Sequence, residues 1–365
     1  MTDRPLVAIT GGTGFLGRHV TEAMAAQGWR IRLLVRQTPT QPVATLPIET
    51  LRGDLADAAA LRELVRGAQM VVHLAGLTKA RKRSEFLAVN RDGSGRLAAA
   101  VAAVAPGARF ILVSSLAARE PQLSAYAESK RASEGAIAAE LGEAARWVVL
   151  RPSAIYGPGD LEGLALFRLA AAPIVPALRG PEPRIALVHA QDVAAAIASL
   201  CVSGPSMASF EVTDACHSGY GYRELLTQIG GLPEGRPRFL GLPDTVLLTA
   251  GMVVDTWSLI TGKPALFGRG KVRELLHRDW ASSAERQLPR LVWTPRIRLQ
   301  EGLPATLAWW SSLDRQQPRA GSRPNTARAP FLGKRPREAP PRAASLGVPG
   351  AAPQGGTSPR SGNAS

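Results

Sequence analysis

The chain has 365 residues, enough for one large domain or two, and a hydrophobic content of 45% that supports a sizeable core. Its two cysteines, Cys201 and Cys216, form neither a metal-ligand spacing nor a disulfide framework, so no metal site is expected and a reducing cytosol is the default. A net charge of +15 would point to nucleic acid, but nine basic residues against two acidic ones lie from Leu313 onward, in a stretch rich in Pro, Gly, Ala and Ser.

That stretch, 313–365, cannot bury enough apolar surface to offset its chain entropy and reads as a disordered tail. It is either a solubilising tail or a source of weak attraction to anionic lipid or nucleic acid; no specific nucleic-acid partner is expected. At the other end, "MTDRPLVAIT" runs almost directly into an apolar strand, which leaves no room for a signal peptide. No apolar run reaches the ~20 residues of a membrane span.

In chain order, "LVAIT" (6–10) is a continuous apolar run, as for a strand buried on both faces. "GGTGFLG" follows, then a helix "RHVTEAMAAQG" closed by Gly28, then a second strand "RIRLLVR". The alternation continues with the strand "PIETLRGDL", the helix "DAAALRELVRG", the strand "QMVVHLAG", the helix "SGRLAAAVAAVA" and the strand "ARFILVSS". A helix over "AYAESKRASEGAIAAEL" and a strand and loop over "RWVVLRPSAIYGPGD" complete this half. Strands alternating with helices predict an α/β, Rossmann-type, doubly wound parallel sheet over 1–160. A smaller, mostly helical substrate lobe is expected over 161–312, with "RIALVHAQDVAAAI" returning to the sheet and a long apolar helix interrupted by Asp255.

Gly11, Gly14 and Gly17 stand between the first strand and the first helix, where glycine permits a tight turn and close approach of a diphosphate to helix-terminal N–H groups. A carboxylate at the end of the second strand would favour NAD, but this chain has Arg36 there. A guanidinium pairs with a 2′-phosphate, so NADP(H) is expected, with NAD(H) as the alternative. Asp54 is placed either to reach the adenine edge or to cap the following turn. His73 reads as a packed strand residue.

Tyr126 and Lys130 lie four apart, on one helix face. Only six of the chain's 44 basic residues are lysines, and Lys130 is the only one between Arg83 and Gly262, which points to a need for an ammonium. A nearby ammonium is expected to lower the phenol's pKa and to bond ribose hydroxyls. Ser114 and Ser115 end the preceding buried strand, at the edge where ligands sit, and a hydroxyl there can bond a substrate oxygen while Tyr126 exchanges the proton.

Together "TGGTGFLG", "GDL", "HLAG", "VNRDGSGRL", "VSS", "YAESK", "LRPSAIYGPGD", "VHAQDVA" and "LVWTP…LQEGL" run in order over roughly 5–310. In these the chain resembles the extended short-chain dehydrogenase/reductase family, also called the NAD-dependent epimerase/dehydratase family. The resemblance implies a catalytic set Ser115, Tyr126 and Lys130, with Ser114 as the fallback hydroxyl, and a structural role for Asn90. The cofactor contacts expected are Gly11, Gly14, Phe15, Leu16, Gly17, Arg36, Asp54, Leu55, Ala75, Lys130 and Pro152.

Dehydratases of the family carry an acidic pair after the catalytic hydroxyl, where this chain has Leu116 and Ala117, so dehydration is disfavoured. "RPSAIYGPGD" looks closer to the 3β-hydroxysteroid dehydrogenase and lipid-ketone reductase branch than to sugar-nucleotide epimerases. "FLGLPDTVLLTAGMVVDTWSLITG" is either core packing of the helical lobe or a groove for a lipid or steroid-like chain near a membrane surface, and Trp257, Trp309 and Trp310 fit both accounts.

The function expected is NAD(P)-dependent hydride transfer to or from an apolar ketone or alcohol. The alternatives are a nucleotide-sugar epimerase with tightly held NAD and a non-catalytic NADPH-binding protein like a respiratory complex I accessory subunit. The chain is read as cytoplasmic, with association at the inner-membrane surface and homodimerisation as further expectations.

Overall fold

The computed structural model describes residues 4–37, 48–143, 145–201, 204–230, 238–261 and 268–316. The first half alternates β1 (Leu6–Thr10), α1 (Phe15–Ala26), β2 (Arg30–Val35), β3 (Glu49–Arg52), α2 (Ala58–Val65), β4 (Met70–His73), α3 (Arg83–Phe86), α4 (Asp92–Val104), β5 (Arg109–Val113), α5 (Ala125–Leu141) and β6 (Trp147–Pro152). Then come β7 (Ala154–Tyr156), α6 (Leu164–Ala170), β8 (Ile174–Leu178), β9 (Arg184–Ile185), β10 (Leu187–His189), α7 (Ala190–Ser199), β11 (Ala208–Val212), β12 (Tyr220–Gly221) and α8 (Tyr222–Gly230). The described part closes with β13 (Arg238–Leu242), α9 (Asp244–Thr261), α10 (Arg269–Leu276), β14 (Asp279–Trp280) and α11 (Leu299–Gln316).

Seven parallel strands form the main sheet in the order β11-β6-β5-β4-β1-β2-β3. The order reverses between β1 and β4, and a crevice opens at the carboxyl ends of strands flanking such a reversal. All five residues of β1 are buried, which explains the unbroken apolar run: helices cover both faces. Period-two alternation divides its side chains between two cores. Val7 and Ile9 pack with Val20 and Met24 of α1 and Val193 and Ile197 of α7. Leu6 and Ala8 pack with Leu61 of α2, Leu97 of α4 and Ile137 of α5. Each fully buried Leu or Ile here contributes roughly 1.5–3 kcal/mol relative to leaving it in water.

The predicted doubly wound parallel sheet is therefore the observed one, with two local differences. The strand that returns to the sheet is β11, beside β6, whereas β10 pairs with β7 in a separate two-stranded ribbon. The long apolar helix α9 is continuous through Asp255, because that carboxylate turns aside to accept a hydrogen bond from the Arg269 backbone N–H at 2.9 Å, at the start of α10.

A third core holds Phe167, Val175, Leu187, Leu225, Leu226, Leu299 and Leu303 beneath the second half. α11 runs on to Gln316, past the 313 boundary expected for the tail, with Trp310 stacked on Phe167 at 6.2 Å between ring centroids. The described residues belong to one compact unit. The rest of the basic stretch lies outside the described residues.

Candidate active site

The loop between β1 and α1 is shaped by its glycines. Gly11 adopts φ +74°, and a Cβ there would lie 2.6 Å from the Ala75 backbone nitrogen in the loop after β4. A Cβ at Gly17 would lie 2.1 Å from the Gly11 carbonyl oxygen. Helix α1 thus starts against its own turn, and no side chain caps it. Its first N–H groups, from Phe15, Leu16 and Gly17, stand at the crevice with the positive end of the helix dipole. This uncapped terminus is a cradle for a phosphate anion and fits a dinucleotide cofactor.

The other predicted cofactor contacts rim the same edge. Arg36 is exposed just after β2, and Arg52, in register with Val35, ends β3 beside it. Asp54 spends one carboxylate oxygen on the Ala56 N–H at 2.7 Å, so it does cap the turn. The Leu55 side chain lies against Gly93, and its carbonyl accepts from Arg96 Nε at 2.7 Å. Pro152 is the buried last residue of β6.

His73 is sealed under this edge. Ser94 Oγ donates to the Asn90 carbonyl at 2.5 Å, so it accepts from His73 Nε2 at 2.9 Å, which leaves Nδ1 to accept from Thr10 Oγ1 at 2.6 Å. That network assigns the Nε2–H tautomer. Burial, with the Lys130 charge adding, holds the ring down to about 3. His73 is a neutral tie between β1, β4 and α4.

Asn90 sits in a π-helical turn, Leu87–Arg91, which aims its amide inward. Its Oδ1 accepts from the Leu77 N–H at 2.7 Å, and its Nδ2 donates to the Leu77 carbonyl at 3.0 Å and to Ser129 Oγ at 2.8 Å. It pins the loop after β4 to the helix that carries Tyr126 and Lys130, a structural role of the kind expected.

The serine pair divides its work. Ser114 is buried and donates to Glu134 Oε1 at 2.6 Å. Glu134 also holds Arg151 through two bonds of 2.8 and 2.5 Å. Ser115, one residue on and half-buried, accepts from the Ala117 N–H at 3.2 Å, and its hydroxyl acts on the Tyr126 phenol in the direction that lowers its pKa. Ser114 is committed to Glu134, which leaves Ser115 as the hydroxyl that acts on Tyr126. Helix α5 starts at Ala125 because Ser124 caps it, accepting from the Ala127 N–H at 2.9 Å.

Lys130, 7% exposed, donates from Nζ to the Val113 carbonyl at 2.8 Å. Burial brings its pKa down to about 8, with the Glu134 carboxylate opposing. The Tyr126 phenol is pushed up to about 12 by burial, against the Ser115 hydroxyl, with Glu274 and Glu162 adding to the rise. The expected lowering of the phenol by the ammonium is therefore corrected: burial dominates, and the phenol stays protonated across the neutral range.

Three groups escaped the sequence reading. Glu134 and Arg151 form a buried pair behind the site, and a charged residue inside the apolar strand "WVVLRP" was its signal. Glu274, from α10, accepts a hydrogen bond from Ser124 Oγ, so the second half of the chain touches the cap of α5. Glu162 accepts from Thr78 Oγ1 and pairs with Lys79 Nζ, each at 3.0 Å, joining the loops after β4 and β7. No local pattern marks the last two, which meet partners distant in sequence. Among the described residues no cluster of metal-ligating side chains occurs, and no helix is long and apolar enough to cross a membrane.

Comparison with known proteins agrees with this geometry. A sequence model of the NAD dependent epimerase/dehydratase family matches residues 7–212. A ceramide reductase of Caulobacter vibrioides is 46% identical over 310 residues, 84% of this chain and 95% of that protein. A 4-hydroxy-2-methyl-3-oxo-4-farnesyl-3,4-dihydroquinoline-1-oxide ketoreductase of Stigmatella aurantiaca is 32% identical over 42% of this chain and 51% of its own length. The fold is shared with the Thermus thermophilus UDP-glucose 4-epimerase solved with NAD, at a TM-score of 0.60 and 20% identity over 84% of this chain and 99% of that one. A glycine loop shaped for a dinucleotide, a family model that matches more than half of the chain and likeness along nearly the whole of a reductase lead to one conclusion: the chain belongs to the NAD-dependent epimerase/dehydratase family of extended short-chain dehydrogenases/reductases.

Proposed function

We propose that the chain is an NADPH-dependent reductase of a ketone on a long-chain, ceramide-like lipid. The observation that carries the reading is the placement of Tyr126 and Lys130 one turn apart on α5, with the buried Lys130 anchored to the Val113 carbonyl at the end of β5, two residues before Ser115. When bound, a reduced nicotinamide dinucleotide supplies the hydride that the carbonyl carbon accepts. As that bond forms, the carbonyl oxygen gains negative charge. Ser115 donates a hydrogen bond to this oxygen, and Tyr126 delivers its proton to it. Lys130 has two N–H donors beyond the one on Val113, suited to ribose hydroxyls, and stands one helical turn after Tyr126 on α5. The substrate class is supported by the 46% identity to a protein named ceramide reductase over 95% of its length.

NADPH is preferred because Arg36 follows β2 and Arg52 ends the neighbouring β3, both exposed, with no carboxylate at the end of β2. A lipid substrate resides in a bilayer, so the reading brings with it association at a membrane surface.

The test is cofactor oxidation by the purified chain with a 3-oxo-ceramide dispersed in detergent. Stoichiometric NADPH consumption with formation of the alcohol is expected. Tyr126→Phe should lower kcat by about 10²–10⁴-fold with NADPH binding intact, and Arg36→Ala should raise the KM for NADPH more than that for NADH. Interconversion of a nucleotide sugar with no net cofactor change would establish an epimerase instead. NADPH binding without turnover of either substrate class would establish a non-catalytic protein.

A further inference from the structure

The two halves of the candidate site belong to opposite helical layers. The glycine cradle opens α1, which packs with α7 on the sheet face of Val7 and Ile9. Tyr126 and Lys130 stand on α5, which packs with α2 and α4 on the face of Leu6 and Ala8. The loop after β7 lies on the α1 layer. β6 has β5 and β11 as sheet neighbours, yet the chain that follows β6 and β7 comes back to the helix after β1. There the Pro158 carbonyl accepts from His19 Nε2 at 3.3 Å. Gly159 adopts φ +100°, and a Cβ on it would lie 3.3 Å from the Phe15 ring. This loop therefore spans from the β6 side of the crevice to the cradle.

The loop after β4 is tied to the other layer. Leu77 is held by Asn90, whose amide also bonds Ser129 of α5, and a Cβ at Gly76 would lie 3.9 Å from Lys130 Nζ. Glu162 joins the two loops. The buried Asp160 carboxylate accepts from the Glu162 N–H at 3.0 Å and the Gly163 N–H at 2.9 Å, a tight turn that leaves the Glu162 side chain exposed. A Cβ at Gly163 would lie 2.1 Å from Asp160 Oδ2, so the turn requires glycine there. Glu162 Oε1 then accepts from Thr78 Oγ1 and pairs with Lys79 Nζ, each at 3.0 Å. The Tyr126 phenol feels the Glu162 charge, which places this bridge close to the proton-transfer group.

We propose that Glu162, with Thr78 and Lys79, forms a clasp between the two layers that gates exchange of the dinucleotide cofactor. The inference rests on the reading that puts a dinucleotide at the α1 terminus and at Lys130. A ligand held at both anchors enters or leaves between the two loops that the clasp ties together. The clasp bonds protein to protein, so it sets how often the crevice opens, and not how tightly an enclosed cofactor is held. Entry and exit are then slowed alike.

The experiment is stopped-flow fluorescence of NADPH binding to the full-length chain and of its displacement by excess NADP+. Wild type is compared with Glu162→Ala, with Lys79→Met and with the charge-reversed pair Glu162→Lys, Lys79→Glu. Each single variant should raise the association and release rates by the same factor, about two- to fivefold, the range of an exposed ion pair, with equilibrium affinity unchanged. The reversed pair should bring both rates back to within about twofold of wild type. Unchanged rates in both single variants would overturn the proposal. Faster release with unchanged association would make Glu162 part of the cofactor's hold, not its gate, and would also overturn it. So would faster exchange that the reversed pair fails to restore, since that traces the effect to a disturbed loop. Failure of the wild type to bind either NADPH or NADH would instead defeat the cofactor reading, whatever the variants show.

Discussion

Lys130→Met should make the protein more stable and inactive. In the folded chain Lys130 titrates near 8, against 10.5 for a free lysine, because burial penalises its charge. The unfolded chain therefore binds this proton more tightly, and the proton favours unfolding. The penalty is full below pH 8, shrinks as pH rises from 8 to 10.5, and is absent above that. At about 1.36 kcal/mol for each tenfold in proton affinity, it amounts to roughly 3 kcal/mol at neutral pH. Methionine has a similar length and no charge, but it forfeits the hydrogen bond to the Val113 carbonyl, worth about 1 kcal/mol. The variant should gain about 2 kcal/mol at neutral pH. The assay is urea unfolding of both proteins without cofactor, from about pH 7 to about pH 10.5. The advantage should shrink with pH and reverse at the alkaline end, where the neutral amine of the wild type still bonds Val113. A variant less stable than wild type at neutral pH, or a difference flat across the range, would refute the view that this lysine is kept charged at the expense of the fold.

Other perturbations probe the cradle and the support behind the site. Gly17→Ala places a Cβ against backbone at 2.1 Å, with no side chain to yield, so the Gly11 carbonyl must move by about 1 Å. Cofactor affinity should fall about 10²-fold, with folding largely kept, as read by fluorescence titration and thermal unfolding side by side; unchanged affinity would remove the loop from the phosphate site. Glu134→Ala strips the buried Ser114 and the partly buried Arg151 of their shared acceptor. It should cost about 3–5 kcal/mol in denaturant unfolding, because the guanidinium is left unpaired. Ser115→Ala should reduce kcat by about 10²-fold, and Ser114→Ala should mainly lower the unfolding midpoint; the reverse pattern would exchange the roles of the two serines.

Much of this was legible before any coordinates. The buried strands could be read as unbroken apolar runs, since a strand covered on both faces has no reason to alternate. The Tyr126–Lys130 pair and the glycine loop were legible because their geometry is local: i and i+4 share a helix face, and a turn must precede the helix it feeds. The position of β11 in the sheet was not legible. A short strand has no local feature that chooses its neighbour, and β11 reaches β6 only after the intervening residues fold elsewhere. The resemblance preferred Ser115 over Ser114, but the physical ground for setting Ser114 aside was hidden, because it depends on Glu134 and Arg151, brought in by a different helix and strand.

The chain's local order thus determined the repeating strand–helix units, the cofactor loop and the residue types that move a proton. Tertiary structure alone decided their electrical state and their surroundings. Tyr126 lies four residues from an ammonium, yet burial is the largest influence on its pKa and raises it. The apolar run of α9 reads equally as core or as surface, and only packing shows which side Gly251 presents to α10 and which side Trp257 presents to solvent. Desolvation and exposure are properties of everything around a residue, and those surroundings come from segments far along the chain.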